Sequence, residues 1–325
     1  MLNRQRLLTW IPRVGFGLLL LVFGELVAWQ YASQYDAFDW MALIGLYFAM
    51  GAILLDVIVR WHIQDWLGLL LIAGIFGLTE SALISARLFD NLPISLVFYG
   101  TGLETIMFLL AFGAFLYLST ARSASAWLVG VAAVVGLGWG IWVRGYPELE
   151  HVQQSVPSLD TALPAVVIAL LGNLLVLFVV PPPKKMSYQD WLLEPYEWGA
   201  TGGILGVTLV LRLADGSIPT VGATLVVMII AMMVLILWFT RQAHKENWLR
   251  VLNPPKQPLL YGWIFMLIAF MLMGWAGYHL PQEGDNPIQT TILFGLLAFF
   301  GAIWLPVVSV LIGIRAFTQL AREEF

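Results

Sequence analysis

Apolar stretches long enough to cross a bilayer recur along the whole chain, and this leaves one class of fold. A helix needs about 20 mostly apolar residues to span the hydrocarbon. Windows of that kind fall at roughly 14–34, 40–60, 66–88, 93–119, 125–145, 160–180, 198–213, 219–240, 258–280 and 288–315. The connections between them are too short to hold a soluble domain. Backbone amides have no water to bond in lipid, so each stretch must satisfy its own hydrogen bonds as a helix. Composition agrees: hydrophobic residues are 60% and charged residues 11% of the 325, against about 45–50% and 25% in soluble domains. The expected fold is an all-α integral membrane protein of about ten transmembrane helices. Glu25 interrupts the first stretch and no small-residue cleavage site follows it, so it reads as a span and not as a cleaved signal.

Basic residues orient these spans. With the N-terminus inside, the cytoplasmic segments hold Arg4, Arg6, Arg13, Arg60, Arg122, Lys184, Lys185, Arg241, Lys245, Arg250, Lys256, Arg315 and Arg322. Only Arg87, Arg144 and Arg212 fall elsewhere, all near span ends. That bias follows the positive-inside rule and places both termini in the cytoplasm of a plasma (bacterial inner) membrane. Residues 187–197 read as a short interfacial helix with Tyr188, Trp191 and Leu192 dipping into the headgroups.

The chain also matches itself. Gln64-Asp65-Trp66-Leu67 before span three reappears as Gln189-Asp190-Trp191-Leu192 before span seven, 125 positions on. Arg87, Leu88 and Asp90 correspond to Arg212, Leu213 and Asp215 at the same offset. Between these anchors Gly74, Ile75, Gly77 and Thr79 match Gly203, Ile204, Gly206 and Thr208 at an offset of 129. The four-residue slip is about one helical turn, so it keeps the facing of the side chains. Together the matches predict parallel four-helix repeats arranged 4+4+2: residues 1–123, residues 124–245, and a C-terminal helix pair in 246–325. This layout resembles that of the membrane subunits of polysulfide-reductase-type respiratory complexes, in helix arrangement and without a shared motif. The resemblance implies a non-catalytic or quinone-handling subunit of a larger assembly.

Charged groups inside hydrocarbon are expensive and mark candidate sites. Glu25 and Glu104 fall near the middle of spans one and four, and Glu80 in the outer half of span three. Three neighbouring acids cannot all ionise in a low dielectric, so one holds a proton near neutral pH or a cation sits among them. These residues are the expected proton, cation or ligand site. The simpler expectation is that each is a neutral acid bonded to a neighbouring helix, with Glu80 paired to Arg87. Arg87 with Asp90 and Arg212 with Asp215 form an expected pair of outer-surface arginine turns, where a basic side chain satisfies helix C-terminal carbonyls. Asp56 lies one turn from Arg60 and is expected to pair with it.

Other chemistries lack their residues. Cys is 0, which removes iron–sulfur ligation and thiolate catalysis. The four His are scattered, so neither bis-histidine haem nor a zinc site is expected, and no metal is assigned. A formal net charge of −4 offers no basic surface for nucleic acid. No enzyme motif identifies a catalytic residue. Three readings follow: a proton- or cation-coupled carrier of a small solute or lipid, a non-catalytic or quinone-handling subunit among other membrane subunits of a respiratory or photosynthetic complex, and an enzyme on lipid-linked substrates; no cofactor is assigned beyond quinone in the second.

Overall fold

The computed structural model describes residues 4–29, 35–120, 126–149, 157–179, 188–240, 260–281 and 288–323. Among these every regular element is a helix, without a strand. The helices are α1 (Arg4–Leu21), α2 (Ala37–Arg60), α3 (Trp66–Thr79), α4 (Glu104–Thr120), α5 (Ala126–Leu149), α6 (Leu159–Val179), α7 (Tyr188–Trp191), α8 (Pro195–Ala214), α9 (Thr220–Thr240), α10 (Leu260–Tyr278) and α11 (Ile288–Glu323). Among the described residues, eight helices are long and apolar enough to cross a membrane. The remaining two expected spans coincide with α6, whose shorter apolar stretch is Leu159–Leu175, and with α8, which carries Glu197 and Arg212.

Three of the first four helices depart from α geometry. π-Helical segments extend α1 over Val22–Val27, extend α3 over Glu80–Ile84, and precede α4 over Leu96–Leu103. Such segments insert a residue into the ladder and turn the side chains beyond it. After the second of them the chain breaks at Ala86, whose φ of 57° is left-handed, and continues as a 3₁₀ turn over Arg87–Phe89.

Burial divides the bundle into a centre and a periphery. The four crossing segments up to Leu118 are 72%, 67%, 78% and 67% buried, whereas those formed by α5, α9, α10 and α11 are 28%, 22%, 39% and 22% buried. The core therefore sits in the first four helices, around Phe16, Phe76, Phe108, Phe112 and Phe115. The later helices leave large apolar side chains such as Val227, Leu272 and Phe299 exposed. An all-round apolar surface of this kind suits lipid as solvent.

Small residues set the closest helix approaches, as is common between membrane helices. A Cβ on Gly77 would lie 2.1 Å from the Gly100 carbonyl oxygen, and one on Gly140 would lie 2.1 Å from that of Gly274. Neither oxygen can move without its helix. Gly77→Ala should destabilise the fold by about 1–3 kcal/mol through overpacking. Gly113→Ala, which meets nothing within 4 Å, should leave thermal unfolding in detergent unchanged. Equal melting of the two variants would contradict this packing.

Where α1, α2 and α8 begin or end together, a polar clasp closes the bundle. Arg13 is fully buried and donates to the carbonyls of Asp190 (3.2 Å), Trp191 (3.2 Å) and Leu192 (3.1 Å). Its guanidinium also lies 3.8 Å from Glu197, which accepts from Trp10 Nε1 and from the Glu194 amide. Asp56 pairs with Arg60 through two hydrogen bonds, as the spacing predicts, and also accepts from the Leu193 amide and Trp198 Nε1. The expected single helix over 187–197 is thus two elements. Pro195 opens α8 at its first turn, where a missing N–H costs nothing. Trp191 is buried in the bundle instead of dipping toward headgroups.

Candidate functional site

Glu25, Glu80 and Glu104 are all buried, each at most 1% exposed. Each also belongs to, or directly follows, a π-helical segment: Glu25 within the first, Glu80 opening the second, Glu104 following the third. Their common neighbour is Tyr47, in the middle of α2 and fully buried. The Tyr47 hydroxyl contacts Glu25 Oε1 at 3.0 Å and Glu80 Oε1 at 3.3 Å. Glu104 lies within electrostatic reach of the same hydroxyl. A single phenol thus stands between two acids, from the π segments that extend α1 and α3.

Gly24 makes room for this arrangement. A Cβ there would sit 2.6 Å from the Tyr47 oxygen, so the bare backbone of the first π segment is the wall against which the hydroxyl rests. Glu80 Oε2 is buried without a hydrogen-bond partner among the described residues. No three described acid or histidine side chains converge closely enough to hold a metal ion. Glu25 and Glu80 are instead bridged by the Tyr47 hydroxyl.

Tyr35 and Arg87 lie at the far end of this cluster from the clasp. Tyr35, just before α2, bonds through its side chain to Glu25. Burial pushes its hydroxyl well above the ordinary tyrosine range, and the charges of Glu25 and Glu80 push the same way. Arg87 is 2% exposed, with its guanidinium over the rings of Tyr99 and Tyr146 at 5.4 Å and 5.2 Å. Its charge acts on both Glu25 and Glu80. A guanidinium stacked between aromatic faces is held in place and still serves the nearby carboxyls.

The two expected arginine turns differ in setting. Arg87 is drawn inside, because the break at Ala86 folds its 3₁₀ turn back over the bundle. Arg212 donates to the Ile84 carbonyl at 2.8 Å. It therefore satisfies the C-terminal end of the neighbouring π segment instead of its own helix. Asp90 follows the 3₁₀ turn. Asp215 is fully exposed and ends α8, where hydrogen bonds from the Ser217 hydroxyl and amide hold its carboxyl below the usual range. The two turns thus meet at one place, the end of the second π segment.

Sequence reasoning missed Tyr47, Tyr35 and the buried state of Arg13. A tyrosine halfway along a span, far from either interface, was the available signal for Tyr47. Nothing in an apolar sequence marks a π segment.

Compared with family models, with curated proteins and with solved structures, the chain matches none of them.

Proposed function

We propose that this polytopic membrane protein is a proton- or cation-coupled carrier of a small solute or lipid, with Glu25, Glu80 and Glu104 as the coupling groups. The observation that supports this reading is three buried carboxyls, each at a π segment, with Glu25 and Glu80 on the Tyr47 hydroxyl and Glu104 acting on it electrostatically. Three acids beside one guanidinium leave a charge imbalance in a low-dielectric interior. Protons or a bound cation must offset it. A site whose charge changes as its occupant comes and goes can exchange one state for another across the membrane. The π segments supply backbone that can shift by one residue without unwinding a helix.

On this reading the chain crosses the membrane ten times, with both termini cytoplasmic and the clasp at the cytoplasmic end. The 4+4+2 repeat is part of the proposal. It is supported by α3 and α8, whose N-caps Asp65 and Glu194 lie 129 positions apart, the offset of the glycine matches. The first unit holds the acids and the outer units hold it in lipid, with Arg87 and Arg212 at the closing end of the second π segment.

Uptake by membrane vesicles of a panel of small solutes, driven by an imposed proton or sodium gradient, tests the proposal. Glu80→Gln should lower gradient-driven uptake at least about tenfold, equivalent to about 1.4 kcal/mol, with normal melting. Unchanged uptake in the Glu25, Glu80 and Glu104 triple Gln variant would sink the coupling role.

A further inference from the structure

An apolar cavity of about 270 Å³ lies between the first π segment, α4, α5, α6 and α10. It is nearly twice the engineered apolar cavity, of about 150 Å³, that admits benzene. A second cavity of about 140 Å³ shares Val27, Leu110 and Val135 with it and extends toward Trp139 and Trp142. The two adjoin along the bundle, and neither is lined by the carboxyl cluster, so we take them together as one apolar slot.

The slot has one polar end. Tyr117 and Trp263 stand in its wall with rings stacked at 6.3 Å and an interplanar angle of 18°. They are 7% and 5% exposed, and neither the Tyr117 hydroxyl nor Trp263 Nε1 has a hydrogen-bond partner among the described residues. In hydrocarbon no water replaces a missing acceptor. Tyr117 lies three residues before the end of α4 and Trp263 three after the start of α10, so both sit about one turn inside the helix ends. Phe16, near Arg13 on α1, packs on Phe112 and Phe115 of α4, which puts this polar end at the clasp end of the bundle.

We propose that the slot binds one phospholipid from the leaflet at the clasp end. One acyl chain lies in the slot and its ester carbonyl accepts from the Tyr117 hydroxyl and Trp263 Nε1. The depth of the two donors favours this occupant, because ester carbonyls lie just inside the interface and two adjacent donors suit a carbonyl oxygen. The apolar lining and the slot's length suit the chain. Gly113 is exposed at the cavity and would have nothing within 4 Å of an added Cβ. The bare backbone there leaves the mouth open on the lipid side.

Native mass spectrometry of the full chain in mild detergent, with quantification of extracted phospholipid and quinone, tests this. The wild type should retain one phospholipid per chain after extensive washing. The Tyr117→Phe, Trp263→Phe double variant should retain at least about tenfold less. Gly113→Leu, which blocks the mouth without touching a polar group, should do the same while melting like wild type after delipidation. If the double variant fails to fold, Gly113→Leu decides alone. No retained lipid in the wild type, or equal retention in wild type and Gly113→Leu, overturns the proposal. A retained quinone in place of phospholipid overturns the assignment of the occupant.

Discussion

Arg13→Leu should cost about 3–5 kcal/mol of stability, the loss expected when one member of a buried charged network is removed. Arg13 is fully buried, and its Nη2 is shared among three consecutive backbone carbonyls, Asp190 to Leu192. Those carbonyls end α7 and have no continuing helix to receive them, because Pro195 starts a new one. Without the guanidinium they would be buried and unpaired, and Glu197 would lose the cation 3.8 Å away. Lysine at this position carries the charge on one nitrogen and cannot serve the carbonyls and approach Glu197 with two separate nitrogens, as Nη2 and Nη1 of Arg13 do. Arg13→Lys should therefore recover only part of the loss. Thermal unfolding in detergent checks the order wild type, Lys, Leu. A Leu variant as stable as wild type would mean that the clasp contributes nothing.

The second large effect is expected at Tyr47. Tyr47→Phe removes the hydroxyl between Glu25 and Glu80 while keeping the ring against Phe76. Leaving buried polar groups unsatisfied costs about 1–3 kcal/mol, and gradient-driven uptake should fall with it. Gly24→Ala reaches the same end by another route. Its methyl would occupy the place of the Tyr47 oxygen, 2.6 Å away, and push the hydroxyl off both carboxyls. The two variants should share one defect, and combining them should add little, because the second acts on a contact already lost. Uptake that falls additively in the double variant would show that Gly24 acts elsewhere.

The spans were legible because hydrocarbon imposes length and composition together, and buried acids were legible because so few charges occur within the spans. Asp56 with Arg60 followed from helical spacing alone. Arg13 did not, since a span read as starting near residue 14 leaves it in a cytoplasmic flank. The helix begins at Arg4, so Arg13 falls inside it. The π segments escaped for a different reason. In α3 and α4 nearly every side chain is apolar, and a pattern with no polar face cannot register a change of period. Tyr47 is not legible, because a lone tyrosine in an apolar span carries no charge to mark it. Its hydroxyl has meaning only once α1 and α3 bring their acids to it.

Infrared difference spectroscopy of the reconstituted protein, titrated with pH in wild type and in the Glu25→Gln, Glu80→Gln and Glu104→Gln variants, tests the central claim most directly. Glu25 and Glu80 share the Tyr47 hydroxyl and Glu104 acts on it electrostatically, so the three should titrate as a coupled set. Each Gln variant should therefore remove its own carboxyl signal and shift the titration of the other two. Signals that vanish one at a time, with the remaining two titrating as before, would show three separate buried acids and no coupled site.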